Sequence, residues 1–201
     1  MRLIDLETAH VPEAAAVLAR AFFDNPGVRA VLDRHGTDAR LIAFERISAG
    51  FLNAARRYGR VTAVVEHDRI AGVMLVYPPG AYPPPMIGQL MMAEQVLLTG
   101  PRSAWKFSCL ASYLRRVHPH TRHYFVFMIG VDGPYQGKGY GGALLRRVHD
   151  AADAAGVDCY LETDKPDSVL LYQHFGYQIT RDDTIRTLGN LRMWTMTRPS
   201  Q

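Results

Sequence analysis

Residues 131–142 read VDGPYQGKGYGG, and five of these twelve residues are glycine. An unbroken apolar run, YFVFMIGV at 124–131, leads into the stretch, and ALLRRVHDAADAAG at 143–156 follows it. The apolar run suits a central strand buried on both faces, and the segment after the glycines has helical periodicity. Glycines between a strand and a helix let the backbone adopt positive φ and remove the Cβ atoms that would hold a ligand away. Successive N–H groups then converge on an anion, with the positive end of the helix behind them. The stretch reads as a phosphate cradle.

The flanking sequence predicts alternating helices and strands. MRLIDL at 1–6 alternates as a strand, and residues 9–23 have helical spacing that breaks at Asp24-Asn25-Pro26. A second helix is predicted from about Asp38 to Arg57, closed by Gly59. Two strands, RVTAVVEH and RIAGVMLVY, meet at a turn near Asp68. The proline-dense YPPGAYPPP at 77–85 must be a loop, and helices at 86–98 and 101–117 come next. After the glycine loop and its helix come a strand (DCYLE), a short helix (DSVLLYQHF) and two closing strands (YQITRDD and RMWTMTR). The fold class is α/β (α+β), with a strand–helix–strand unit at its centre.

At 201 residues the chain suits one domain with a single core. It contains no run of 18 apolar residues and no charged-then-apolar leader, which makes a cytoplasmic location the expectation. A net charge of +4 suits an anionic ligand without demanding nucleic acid, and ARRYGR and YLRRVH read as solvated helix faces. Cys109 and Cys159 lie in apolar surroundings and read as buried thiols. In HPHTRH at 118–123, Pro119 and the approaching strand work against a three-histidine metal site.

Three cofactor readings compete for the glycines. A nucleoside-triphosphate loop needs Gly-Lys-Ser/Thr, but Gly139 follows Gly137-Lys138, and Asp132 stands where its first glycine belongs. Gly137, Gly139 and Gly142 satisfy G-x-G-x-x-G, and Glu162 stands about 20 residues on, where a dinucleotide's ribose acid belongs. Five residues separate that first glycine from the strand, however, and only about 60 residues remain afterwards.

The third pattern is Q/R-x-x-G-x-G/A, met by Gln136-Gly137-Lys138-Gly139-Tyr140-Gly141. With the preceding IGV, the following ALL and the downstream YLETDKPDSVLLYQHFGYQI, the chain strongly resembles the GNAT superfamily of N-acetyltransferases. AFFDNPGVRAVL, HPHTRHYFVFMIGVD and WTMTRP resemble the bacterial branch that contains puromycin N-acetyltransferase. The likeness runs in order over most of the chain and is weakest over 35–115. It implies a single domain over 1–201 with a mixed central sheet flanked by helices. Residues 1–120 would form the acceptor side, with a helical insertion at 86–117, and residues 121–198 the coenzyme and catalytic half.

The resemblance also implies site roles. Acetyl-CoA would be a co-substrate, with no metal. Ile129, Gly130 and Val131 would offer backbone to the pantetheine arm beside a bulge that splays the strand, and Gln136, Gly137, Lys138, Gly139, Tyr140, Gly141 and Gly142 would hold the pyrophosphate. Lys138 either adds charge or is merely solvated. Tyr172 takes the general-acid position, and Glu162 is either the base or a structural carboxylate. Two positions depart from the family pattern: Gly133 precedes Pro134 at the start of the loop, and Ser168 replaces an asparagine. The acceptor, a small-molecule amine, would lie against Phe22, Phe23, Asp24 and Asn25, the proline-rich loop and the helices that follow. Tyr77 and Tyr82 are candidates to stack on it, and Asp24 either holds its ammonium or ends a helix. The expected partners exclude nucleic acid and membrane, and the chain would be a monomer or a homodimer. A nicotinamide oxidoreductase and a non-catalytic acyl-CoA sensor remain the alternatives.

Overall fold

The computed structural model describes residues 1–201 and sets the apolar run at the middle of a seven-stranded sheet. The strands are β1 (Arg2–Asp5), β2 (Arg60–Glu66), β3 (Arg69–Tyr77), β4 (His123–Val131), β5 (Asp158–Thr163), β6 (Gln178–Ile185) and β7 (Leu191–Arg198). Their order is β1-β2-β3-β4-β5-β7-β6; β4 and β5 run parallel and every other neighbouring pair is antiparallel. The two-residue turn between β2 and β3 places His67 and Asp68 at positive φ, as a tight hairpin requires.

Side-chain alternation splits the core into two layers. Ala63, Val73, Leu75, Tyr77 and Phe125 face helices α1 (Val11–Ala21) and α3 (Thr37–Tyr58). Val64, Met74, Val76 and Val126 face α6 (Tyr140–Ala155). Successive side chains of a strand point to opposite faces and both faces of the sheet are covered, so β3 is buried along its length after Arg69.

The remaining helices are α2 (Pro26–Val31), α4 (Met86–Leu97), α5 (Pro101–Val117) and α7 (Pro166–His174). Helix α2 has no counterpart in the sequence reading, because six residues are too few to show a helical period. It is held from outside: Lys106 Nζ of α5 donates to the Ala30 carbonyl at 2.8 Å and pairs with Asp33 at the same distance. No helix is long and apolar enough to cross a membrane.

The antiparallel β3–β4 and β5–β7 pairs are incompatible with a dinucleotide fold, whose sheet is mostly parallel. The G-x-G-x-x-G reading therefore falls on topology.

Beneath α6, the His149 ring lies 3.2 Å from the Tyr177 hydroxyl, both buried. Burial, followed by the charge of Arg198, pushes the imidazole from its ordinary 6.5 down to about 4. A folded-state pKa below the unfolded one contributes stability that is present above about pH 6.5 and lost as pH falls towards about 4. Urea midpoints measured from about pH 7.5 to 4.5 should fall with pH in the parent chain. His149→Gln should flatten that fall, and an unaltered slope would remove His149 as its source.

Candidate active site

Strands β4 and β5 are partners for only four positions, from His123↔Asp158 to Val126↔Leu161. Beyond them β4 stays with β3 as far as Val131, and β5 stays with β7 as far as Thr163. The two strands part there, and the β5-facing edge of β4 is open. A bulge accompanies the parting: Val76 pairs with Val126 and Leu75 with Met128, so Phe127 has no partner. On the far side, α1 crosses β4 so closely that a Cβ on Gly130 would lie 2.9 Å from the Ala21 Cβ.

The opening between the strands is a cleft of about 570 Å³. Ile129, Gly130 and Val131 line one wall, and Glu162, Ser168 and Tyr172 line the other. Gln136, Gly137, Gly139, Tyr140, Gly141 and Gly142 line its end. Gly137 and Gly139 have φ of +77° and +80°, a region that disfavours any residue with a side chain. The first helical hydrogen bond of α6 is Ala143 N–H to the Gly139 carbonyl. None of the six N–H groups of residues 137–142 donates within the chain, so the loop presents a row of unmet donors at a helix N-terminus.

Two contacts fix the start of this loop. Asp132 takes a bidentate grip from Arg20 of α1 (2.7–3.1 Å) and accepts from Gly133 N–H. Gln136 Nε2 donates to the Val131 carbonyl at 2.9 Å. Gly133 and Pro134 sit in a short 3-10 turn, Gly133–Tyr135, capped by Asp132. The sequence reading missed Arg20 because its partner lies 112 residues away.

At the end of β5, Glu162 exposes 9% of its side chain. It accepts from Tyr160 Oη at 2.9 Å, and His118 Nδ1 lies 3.9 Å from it. Burial raises its pKa above the ordinary carboxylate value, against the pull of His118 and Tyr160. Tyr172, on α7, is buried, and its hydroxyl makes no hydrogen bond to the protein. Burial, with the charge of Asp164 behind it, pushes the phenol well above its ordinary range, so it keeps its proton at neutral pH. Asp164, a cleft residue that sequence reasoning passed over, accepts from Gly27 N–H and lies 3.4 Å from Asn25 Nδ2. It therefore ties α2 to the end of β5.

Not every candidate reaches the cleft. Lys138 turns away, with Nζ 3.6 Å from Glu66 and above the ring of Tyr135. The residue of α6 that brings positive charge to the cleft is Arg146. Phe22 and Asn25 line the opening, whereas Phe23 lies under the Arg40 guanidinium and Asp24 is exposed. Tyr77 is fully buried against Phe127 and Tyr82, and Tyr82 packs on Phe125 and His118; neither lines the cleft, because both complete an aromatic core beneath it. Helices α4 and α5 do not line it either. No cluster of three or more His, Cys, Asp or Glu side chains is placed to hold a metal ion.

A strand pair that opens beside a glycine-rich helix start defines a class of fold, and comparison with known proteins gives it a family. The chain belongs to the acetyltransferase (GNAT) family, whose model matches residues 32–177. The family is one of acetyltransferases that draw on acetyl-CoA. The N-alpha-acetyltransferase RimI of Mycobacterium tuberculosis is 31% identical over 97 residues, which cover 48% of this chain and 61% of that protein. The matched segment thus spans less than two thirds of that relative. Two solved structures share the fold over nearly the whole chain. A histone acetyltransferase and related acetyltransferase of Corynebacterium glutamicum has a TM-score of 0.68 at 20% identity, covering 99% of this chain and 96% of that one. Arylalkylamine N-acetyltransferase 2 of Aedes aegypti has a TM-score of 0.67 at 14% identity, covering 100% and 99%.

The loop geometry is directly testable. Gly139→Val forces a branched residue to positive φ and should cost about 1–2 kcal/mol, lowering the melting temperature by roughly 2–8 °C. Acetyl-CoA at about 100 times its Kd should stabilise the parent by about 2.7 kcal/mol and the variant by much less. An equal gain in both proteins, read by thermal unfolding, would separate the loop from coenzyme binding.

Proposed function

We propose that the chain transfers acetyl directly from acetyl-CoA to the primary amine of a small molecule, with both held together in the β4–β5 cleft. One observation carries this reading: a single cleft joins five residues with unmet N–H donors, a carboxylate with 9% of its side chain exposed and a buried phenol. The donor row fits a pyrophosphate, since backbone N–H groups at a helix start favour an anion, and Arg146 adds charge nearby. The open edge formed by Ile129, Gly130 and Val131 fits the amides of a pantetheine arm, received as a strand would be. Ser168 offers one hydroxyl there. When bound, the coenzyme supplies an acetyl thioester whose carbonyl carbon the amine attacks.

Glu162 is the general base in this reading. Its burial raises its proton affinity into a more useful range, while Tyr160 holds one carboxylate oxygen in place. Tyr172, which lines the cleft with its hydroxyl unbonded to the protein, is the general acid, its proton directed to the departing sulfur. Holding both reactants in one cleft supplies orientation without a covalent intermediate. Phe22, Phe127 and Met128 give the acceptor end an apolar wall, which favours a small, partly apolar amine. The alternative acceptor is a protein N-terminus, suggested by the 31% identity to RimI.

Thiol release measured over a panel of small amines and N-terminal peptides separates the two acceptors. Tyr172→Phe should lower kcat by about 10²-fold or more while leaving coenzyme affinity nearly intact. An unchanged kcat would take Tyr172 out of the mechanism. For Glu162 the sign is fixed by its need to be ionised. Rate should fall as pH drops through a pKa above the ordinary 4.5, and Glu162→Gln should lose that limb together with most of kcat. A Glu162→Gln variant that kept both would show the carboxylate to be structural.

A further inference from the structure

Behind Glu162, on the side away from the cleft, stands a histidine that the reaction as described leaves idle. His118 caps the C-terminal end of α5, and its Nδ1 is 3.9 Å from Glu162 Oε1. Four rings box its imidazole: Tyr82, His123, Phe125 and Tyr160, at centroid distances of 5.0, 4.9, 4.8 and 5.2 Å. The box sets the ring's position, yet the side chain keeps 14% of its surface exposed. Neither ring nitrogen is committed to a hydrogen bond within the protein. The imidazole therefore touches both a buried carboxylate and the solvent.

We propose that His118 is the proton outlet of Glu162, a positioning residue that carries the acceptor's proton from the closed cleft to water. The proposal rests on the reading of Glu162 as base. Acetyl transfer from a thioester to an ammonium releases one proton overall, and a base with 9% exposure needs a route to discharge it. An N–H bond of the ammonium breaks as an O–H bond forms on Glu162. That O–H bond then breaks as Nδ1–H forms on neutral His118, across a small ring rotation or one bridging water. The imidazolium gives its Nε2 proton to solvent, and a ring flip or water-assisted tautomer exchange then restores the form with a free Nδ1 beside Glu162.

The groups facing this pair do not compete for the proton. Tyr160 on β5, Tyr82 on the proline-rich loop and Tyr113 on α5 are all held protonated, because burial pushes each phenol up, Tyr82 and Tyr113 to about 12. His123 on β4 is pushed down by burial and accepts no proton readily; its Nδ1 is already engaged with the Thr121 carbonyl at 2.7 Å. Arg115 on α5 is the fixed positive charge in the neighbourhood, felt at Tyr82.

The test compares His118→Gln and Glu162→Gln with the parent in the presence and absence of added imidazole. His118→Gln should retain the acetyl-CoA thermal shift, lose about 10²-fold in kcat and show a changed acid limb. Free imidazole should restore part of the rate to His118→Gln, in a concentration-dependent way, and none to Glu162→Gln. A parent-like kcat and pH profile in His118→Gln beside an inactive Glu162→Gln would overturn the outlet while leaving the base in place. An active Glu162→Gln would instead overturn the base reading itself. His118→Asn covers the case in which His118→Gln does not fold: it should show the same loss of kcat and the same partial rescue by imidazole, and a parent-like kcat and acid limb in it would overturn the proposal.

Discussion

The parting of β4 from β5 after the Val126↔Leu161 pair is the constraint on which the rest of the molecule depends. Two parallel strands at the centre of a sheet ordinarily stay paired, because an open edge leaves N–H and C=O groups without partners. Here each strand is held by its other neighbour, β4 by β3 and β5 by β7, so the gap does not unravel the sheet. The bulge at Phe127 turns β4 aside, and the close crossing of α1 at Gly130 backs the turned segment. From this one divergence follow the open strand edge, the position of Glu162 at a cleft wall and the direction in which the glycine loop departs. A paired β4–β5 would leave the loop donors with no cleft to face.

The cleft is electrostatically divided. At its loop end, unmet N–H groups, Arg146 and the start of α6 favour negative charge. Towards its opposite wall, burial drives Glu162, Asp164 and Tyr172 in the other direction, disfavouring their charged forms. Three acidic groups that resist ionisation suit a place where protons are exchanged, and a row of donors suits a place where an anion is merely held. The two halves need opposite physics, and a single strand–loop–helix unit supplies both because its loop faces one end of the opening and its partner strand the other.

Much of this was legible in the sequence for identifiable reasons. The apolar run at 124–131 reads as a central strand because a sheet covered on both faces leaves no polar alternation. Gly137 and Gly139 are readable because positive φ leaves a compositional trace, and both adopt it. Tyr172 and Glu162 were found through the order of the motifs around them, and both reach the cleft. What escaped was whatever depends on distant pairing. Nothing local marks Asp132 as the partner of Arg20, or Asp164 as the acceptor for Gly27. Tyr77 and Tyr82, candidates to stack on the acceptor, pack instead into the aromatic core beneath the cleft, a placement set by neighbours on β4 and at the end of α5 that are distant in sequence. Asp24 likewise sits one residue from Asn25, which does line the cleft, and a helix break does not reveal which of its residues turns inward.

Helix α5 supports the site without entering it. Helix α5 grips α2 through Lys106, which is bonded to the Ala30 carbonyl and paired with Asp33. Asp33 is held well below the usual carboxylate range, at about 2, by Arg102 and Lys106, so this grip is charged across the physiological range. Helix α2 in turn reaches the cleft wall through Gly27 and Asn25, both directed at Asp164. Breaking α5 from α2 would therefore loosen the segment that carries Phe22 and Asn25, although no residue of α5 touches the cleft. At its other end the same helix delivers His118 to the back of Glu162. One helix thus braces the cleft wall that carries Phe22 and Asn25 at its start and reaches the Glu162 carboxylate at its finish, so a segment outside the cleft is bound closely to its geometry.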